Sequence, residues 1–195
     1  MSSQEDTLVL LLAGGVGTRL NVLVKTRAKP AVPFAGLYRI IEFSLSNVMN
    51  SGMKQVGVLT QYKPFSLMRH LATGQAWDFT GRSRGVKILP PSTGFRDSDW
   101  YKGTADAIRQ NLNFVRAHPA REILILSGDH IYQMDLDAMI DFHRQKNADI
   151  TIGMMVVPES QIHQFGAAIT NDEGRIVEWE EKPKVTRTNL ASMGI

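Results

Sequence analysis

Apolar residues along this 195-residue chain fall into two textures. In the first they form short unbroken runs, at 8–12, 56–60 and 122–126, each followed by turn-forming residues. Runs of that length without alternation predict strands buried on both faces, as in a parallel sheet. In the second texture apolar positions recur at helical spacing. Residues 39–51 predict a helix with Ile40, Phe43 and Val48 on its apolar face and Gly52 closing it. Pro64 opens a short helix as its first residue, and Gly74 ends it. Thr104 is placed to cap a helix reaching residue 117, with Asp106 in the first turn and Pro119 as its stop. Ala105, Ile108, Leu112 and Val115 form the buried stripe of that helix. A helix over 136–146 and a strand over 149–157 follow.

Strands alternating with helices at this spacing predict an α/β fold, a mostly parallel sheet with helices on both faces. After Pro158 the strands shorten around a turn at 171–174, which predicts a small antiparallel extension. Residues 21–36 read as a long ordered loop, a kind that is usually functional in a compact domain. Residues 75–103 read as a mobile surface loop, interrupted by a strand at 86–89. The last residues, 191–195, read as the start of a buried strand with no stop signal, so the chain is expected to be cut short.

Composition narrows the classes. A hydrophobic content of 43% can supply a full core. No apolar run approaches the ~20 residues of a membrane span, and the opening MSSQED is polar and acidic, unlike a targeting segment. The absence of cysteine excludes disulfides and thiolate metal sites and fits a reducing, cytoplasmic setting. The net charge of +3 comes from scattered basic residues, which speaks against nucleic acid and suits small phosphorylated substrates.

The run at 8–12 feeds directly into AGGVGTR at 13–19. Its glycines bare the backbone N–H groups at the carboxyl end of a strand, where α/β sheets take ligands and where phosphate binds well. Thr18 adds a hydroxyl and Arg19 a fixed cationic fork. No Gly-Lys-Ser/Thr follows, which excludes a P-loop, and Leu20 stands where the dinucleotide fingerprint needs a glycine. Taken alone, the glycines are also compatible with a plain tight turn. Asp129, at the end of the third run, is a natural Mg2+ ligand beside phosphates, since Mg2+ takes one or two carboxylates plus phosphate oxygens. Lys29, stiffened by Pro30, could aim an ammonium at a phosphate, and Lys182 before Pro183 has the same logic. His130 reads as structural, and the five histidines show no metal-ligand spacing. Together these residues suggest phosphoryl or nucleotidyl transfer by positioning and charge neutralisation, without a covalent enzyme intermediate.

Longer stretches carry a resemblance. LAGGVGTRL at 12–20, RAKPAVPF at 27–34, RIIEFSLSN at 39–47, TQYKPFSL at 60–67, WYKGTADAI at 100–108, SGDHIYQMD at 127–135 and WEEKP at 179–183 resemble the sugar-nucleotide pyrophosphorylases. Within that family they are most similar to the adenylyltransferases that make ADP-glucose in bacterial glycogen synthesis. The resemblance implies a Rossmann-like, nucleotide-diphospho-sugar transferase fold, ATP and glucose 1-phosphate as substrates, Mg2+ as cofactor, and a cytoplasmic homotetramer at full length. It implies that Ala13, Gly14, Gly15, Gly17 and Thr18 bind the ATP phosphates, with Arg19 and Lys29 as catalytic cations. Gln61, Gly103 and Thr104 would lie on the nucleotide, and Asp129 would hold the metal and count among the catalytic residues. Tyr101, Gly166, Glu181, Lys182 and Ser192 would line the sugar-phosphate site. It further implies that residues 1–195 are the N-terminal part of a catalytic domain. A second metal-binding aspartate and a C-terminal left-handed β-helix of relatives are not among them.

Three positions depart from the family pattern: Val16 replaces a loop arginine, Thr26 a lysine and Pro33 a histidine linked to effectors. The family's effectors are therefore not carried over. Two other readings stay open at this level. One is transfer with another base or sugar, since base choice rests mainly on Gln61 and Gly103. The other is a non-catalytic nucleotide-binding regulatory homologue, against which stand Arg19, Lys29, Asp129 and Lys182.

Overall fold

β1 (Thr7–Leu12), formed by the first aliphatic run, is hydrogen-bonded along both edges, as its unbroken apolar character requires. The computed structural model describes residues 6–15, 17–81, 83–91 and 100–195, with the main chain alone for Thr18 and Arg19. Val16 and residues 92–99 of the polar stretch lie outside the described residues. The chain divides into two compact units, Met1–Phe142 and His143–Ile195.

In the first unit β1 is followed by the hairpin strands β2 (Pro33–Phe34) and β3 (Tyr38–Arg39), helix α1 (Ile40–Asn50), β4 (Gln55–Leu59) and α2 (Phe65–Leu71). Then come β5 (Gly85–Leu89), α3 (Thr104–Gln110), α4 (Leu112–Arg116), β6 (Glu122–Ser127) and α5 (Leu136–Gln145), within which the chain passes to the second unit. The sheet order is β5-β4-β1-β6, all pairs parallel. Leu8 and Leu10 pack with Leu59, Leu89 and Ala107 on one face, against Ile108, Phe114 and Val115 of α3 and α4. In the middle of β4, Gly57 leaves room for that packing, because a Cβ there would stand 2.7 Å from the Phe114 ring. On the other face Val9, Leu11, Val56, Val58 and Leu126 are fully buried. Each such aliphatic side chain removed from water contributes about 1.5–3 kcal/mol. No helix among the described residues is long and apolar enough to cross a membrane.

Several expectations are corrected. The stretch 21–36 is not a plain loop: it includes part of the 3-10 turn Thr18–Val24, all of the turn Lys29–Ala31, and β2. Pro64 precedes the first residue of α2. The surface loop expected at 75–103 buries Trp77 and Phe79. The single helix expected over 104–117 is two, broken at Asn111, whose side chain is drawn off to Ala107 O and the Tyr101 hydroxyl. Its N-cap is Gly103 rather than Thr104, and Ala107 rather than exposed Ala105 faces the core. β6 is not buried on both faces. Ile123 and Ile125, in register with Leu8 and Leu10, stay exposed, because β6 has β1 on one edge and no strand on the other among the described residues.

The second unit holds an antiparallel sheet, β7 (Met154–Val156), β8 (Gly166–Thr170), β9 (Ile176–Glu181) and β10 (Leu190–Ser192), in the order β7-β10-β8-β9. The strand expected over 149–157 shrinks to β7, which pairs with β10. The turn at 171–174 is present: Asn171 Oδ1 accepts from the backbone N–H groups of Glu173 and Arg175, and Gly174 takes a φ of +80°. Val157, Ile162, Ala167 and Ala191 form this unit's core.

Candidate functional site

The sheet of the first unit has its switch point beside β1, whose chain leads on to β4 on one flank while β6 stands on the other. Carboxyl ends of strands at such a point are where open α/β sheets bind ligands. The ladder runs one residue past β1 on both sides: Ala13 N donates to Leu59 O (2.8 Å) and Gly128 N to Leu12 O (2.9 Å). The glycine loop therefore leaves the sheet with Gln61 on the β4 side and Gly128 on the β6 side. Gly14 lies against Gln61, where a Cβ would be 3.3 Å from the Gln61 Cβ, whereas a Cβ on Gly15 would meet nothing within 4 Å. The loop is closed beneath and open above.

Gly17 is required twice over. Its φ of +67° is left-handed, and a Cβ there would stand 2.7 Å from the Lys29 Cβ. Gly17→Ala is expected to cost about 1–2 kcal/mol for the backbone alone and to push Lys29 out of place. A drop in unfolding midpoint together with weaker ATP binding would show both effects. An unchanged midpoint would refute the backbone argument. The Thr18 hydroxyl and the Arg19 guanidinium lie outside what is described; their main chain opens the 3-10 turn, with Leu20 N donating to Gly17 O (2.9 Å).

Lys29 sits between the fully buried Ala28 and the buried Pro30, so its stem is anchored. Its Nζ donates to Asp129 Oδ2 at 2.9 Å, and Ser127 Oγ donates to Asp129 Oδ1 at 2.6 Å. Burial pushes the Asp129 carboxyl up, but hydrogen bonds from Ser127 and Lys29, with the charge of Lys29, outweigh it and hold the group below the ordinary carboxylate range. His130 Nδ1 is 4.0 Å from Asp129 Oδ1, and its ring stacks on Tyr132. Burial lowers the His130 pKa, so the ring is neutral at neutral pH, as a structural histidine would be. Ser127 was not among the expected residues. The only sequence signal for it was its place two residues before Asp129.

Gln61 grips the backbone of Tyr101: Oε1 accepts from Tyr101 N (2.8 Å), and Nε2 donates to Tyr101 O (3.4 Å). The Tyr101 hydroxyl donates to Leu89 O (3.1 Å) and accepts from Asn111 Nδ2 (2.9 Å), and burial raises its pKa. Tyr101 is thus locked in place with its hydroxyl engaged. Gly103 and Thr104, at the start of α3, are exposed. Asp106 binds Lys102 N, Arg109 and Gln110, which hold its carboxyl down to about 2.

The remaining expected residues belong to the second unit, and its register brings them into one row. Gly166 pairs with Glu181, and Ala167 with Ala191, so one step further along sets Ser192 opposite Gly166. Lys182 follows Glu181 with a φ of +48°, its N–H donating to Phe165 O and its Nζ 3.4 Å from Glu181 Oε1. A Cβ on Gly166 would stand 2.4 Å from the Trp179 ring, so the row is tightly packed beneath.

Residues 8–195 match the family model described as nucleotidyl transferase. The chain is 54% identical over 190 residues to the glucose-1-phosphate adenylyltransferase of Thermotoga maritima, covering 97% of this chain and 45% of that one. It is 53% identical to the enzyme of the same name from Clostridium botulinum, with 97% and 49% covered, and to that from Desulforamulus reducens, with 98% and 48%. The chain spans about half the length of the curated relatives it matches. With the match running from β1 through the glycine loop and Asp129 to the last residue, the chain belongs to the nucleotidyl transferase family.

Proposed function

We propose that this chain is the N-terminal part of the catalytic domain of an enzyme that transfers the adenylyl group of ATP to glucose 1-phosphate. The products are ADP-glucose and pyrophosphate. The observation that carries the reading is the Lys29–Asp129 pair beside an open glycine loop at the switch point of a parallel sheet. More than 50% identity to proteins named for this reaction supports the choice of substrates.

In this reading a phosphate oxygen of glucose 1-phosphate attacks the α-phosphorus of ATP. A new P–O bond forms as the bond from the α-phosphorus to the bridging oxygen breaks, and pyrophosphate leaves with that electron pair. The backbone of Ala13, Gly14, Gly15, Gly17 and Thr18 cradles the triphosphate, and Arg19 and Lys29 neutralise charge that grows on its oxygens. Gln61, Gly103 and Thr104 border the base. On the resemblance alone, Lys182, Glu181, Gly166 and Ser192 are assigned to the sugar phosphate, as is Tyr101.

Among the described residues no cluster of three or more carboxylate or imidazole groups converges. Asp129 is a single carboxylate, over a third exposed and already oriented by Ser127, which fits a Mg2+ held mostly by phosphate oxygens and water. When bound, the ion would polarise the phosphates and spread their charge. The same reading makes the full-length protein a cytoplasmic homotetramer, on the resemblance alone.

The test is pyrophosphate release by the full-length chain from glucose 1-phosphate and Mg2+ with ATP, UTP, dTTP, CTP or GTP in parallel. Release with ATP far above the rest is expected. A preference for another nucleotide would overturn the base assignment. Silence with all five, while ATP still binds, would favour the regulatory homologue.

A further inference from the structure

Beyond Gly128, whose N–H still reaches Leu12 O, the segment up to α5 has neither helix nor strand, so its backbone groups have no ladder to satisfy them. Within it Asn47 of α1 meets Tyr132 and Met134, and the residues that flank it, Ser127 and Leu136, meet Ser44 and Ser51. Three polar residues, Ser44, Asn47 and Ser51, are buried on or at the end of that helix, where its pattern would otherwise place apolar side chains. Ser44 Oγ donates to Ser127 O at 3.0 Å. Asn47 Nδ2 donates to Tyr132 O (3.1 Å), and Ser51 Oγ accepts from Leu136 N (2.9 Å). A buried hydroxyl costs stability unless it is paired, and a serine inside a helix adds nothing to propensity. Their spacing of three and four residues puts all three on one face, which meets this segment along its length.

The Ser44 bond differs from the other two in where it leads. Its acceptor is the carbonyl of Ser127, the residue whose own hydroxyl binds Asp129 Oδ1 at 2.6 Å. Ser44 is completely buried, so it has little freedom of its own. We infer that Ser44 is a positioning residue for Asp129: through Ser127 it fixes the aim of the carboxylate relative to the glycine loop and Lys29. The inference rests on the function proposed above. Asn47 and Ser51 hold the distal part of the same segment and carry stability rather than aim. Groups that orient a metal-binding side chain typically change metal affinity or activity by about 10–100-fold when removed.

The experiment compares Ser44→Ala, Ser51→Ala and Asp129→Asn in the full-length chain. It measures kcat and KM for ATP, and the affinity for Mn2+ in the presence of ATP without sugar phosphate. Ser44→Ala is expected to lower kcat by about tenfold or more and weaken Mn2+ binding several-fold, with KM for ATP nearly unchanged. Ser51→Ala should lower the unfolding midpoint with little effect on kcat or Mn2+. Ser127→Ala, which removes the next link without emptying the core, should reproduce the Ser44 result and serves where Ser44→Ala does not fold. If Ser44→Ala and Ser127→Ala leave kcat and Mn2+ affinity unchanged, or if Ser51→Ala matches them, the inference is overturned. If Asp129→Asn itself leaves both unchanged, the functional reading fails and the inference falls with it. The two failures are therefore distinguishable.

Discussion

In the full-length chain, Asp129→Asn should reduce ADP-glucose formation by about a thousandfold or more, a loss near 4 kcal/mol of transition-state stabilisation. Asparagine keeps the shape of the side chain and can still meet Ser127, but it removes the charge that would hold a divalent ion against the phosphates. The fold should survive. The carboxylate is more than a third exposed, so its pair with Lys29 is screened and contributes little, under about 1 kcal/mol. The sign of that contribution can be checked by pH. Asp129 is held below the ordinary carboxylate range, so its stabilisation is present above the unfolded value of about 3.9 and is lost as pH falls through the lowered native value. Any difference in unfolding midpoint between the two proteins should therefore be seen at neutral pH and close in strong acid. Turnover by the variant within ~2-fold of the parent, far short of a tenfold step of 1.36 kcal/mol, would remove Asp129 from the reaction.

Lys29→Met carries the second large effect, a fall in kcat of about 100–1,000-fold, the usual range for loss of one donor aimed at developing charge. KM for ATP should move much less, since a group acting mainly on the transition state lowers kcat and kcat/KM together. Lys29→Arg is not expected to rescue. The Lys29 ammonium meets Asp129 Oδ2 as a single donor at 2.9 Å, and a planar guanidinium cannot present its charge from the same point as an ammonium. Steady-state kinetics on both variants decide it. Recovery by arginine to near the parental rate would mean that Lys29 supplies charge without position.

What was legible in the sequence was local. The aliphatic run of β1, the glycines after it and the turn at Asn171 each encode their geometry within a few residues, and each is found where the pattern put it. The break at Asn111 was not legible, because its cause is a hydrogen bond to Tyr101, ten residues away and set by packing. Nor was the exposure of Ile123 and Ile125, since an apolar run does not say which strand stands at the end of the sheet. The burial of the polar Ser44 and Asn47 was not legible either, because their partners Ser127 and Tyr132 lie more than eighty residues away. The row of Ser192, Gly166 and Glu181 depends on strand register, which no spacing along the chain reveals.

The place of β6 at the end of its sheet, among the described residues, has a consequence for handling the polypeptide. A strand paired on one side only among the described residues, with Ile123 and Ile125 exposed on its face, is a place where another extended chain can pair. A preparation of these 195 residues by itself can add strands from neighbouring copies, and concentration will favour it. The same hazard exists on the ribosome, where the four parallel strands emerge before whatever follows them. Yield and monodispersity of a recombinant product would then depend on how the end strands of that sheet are shielded.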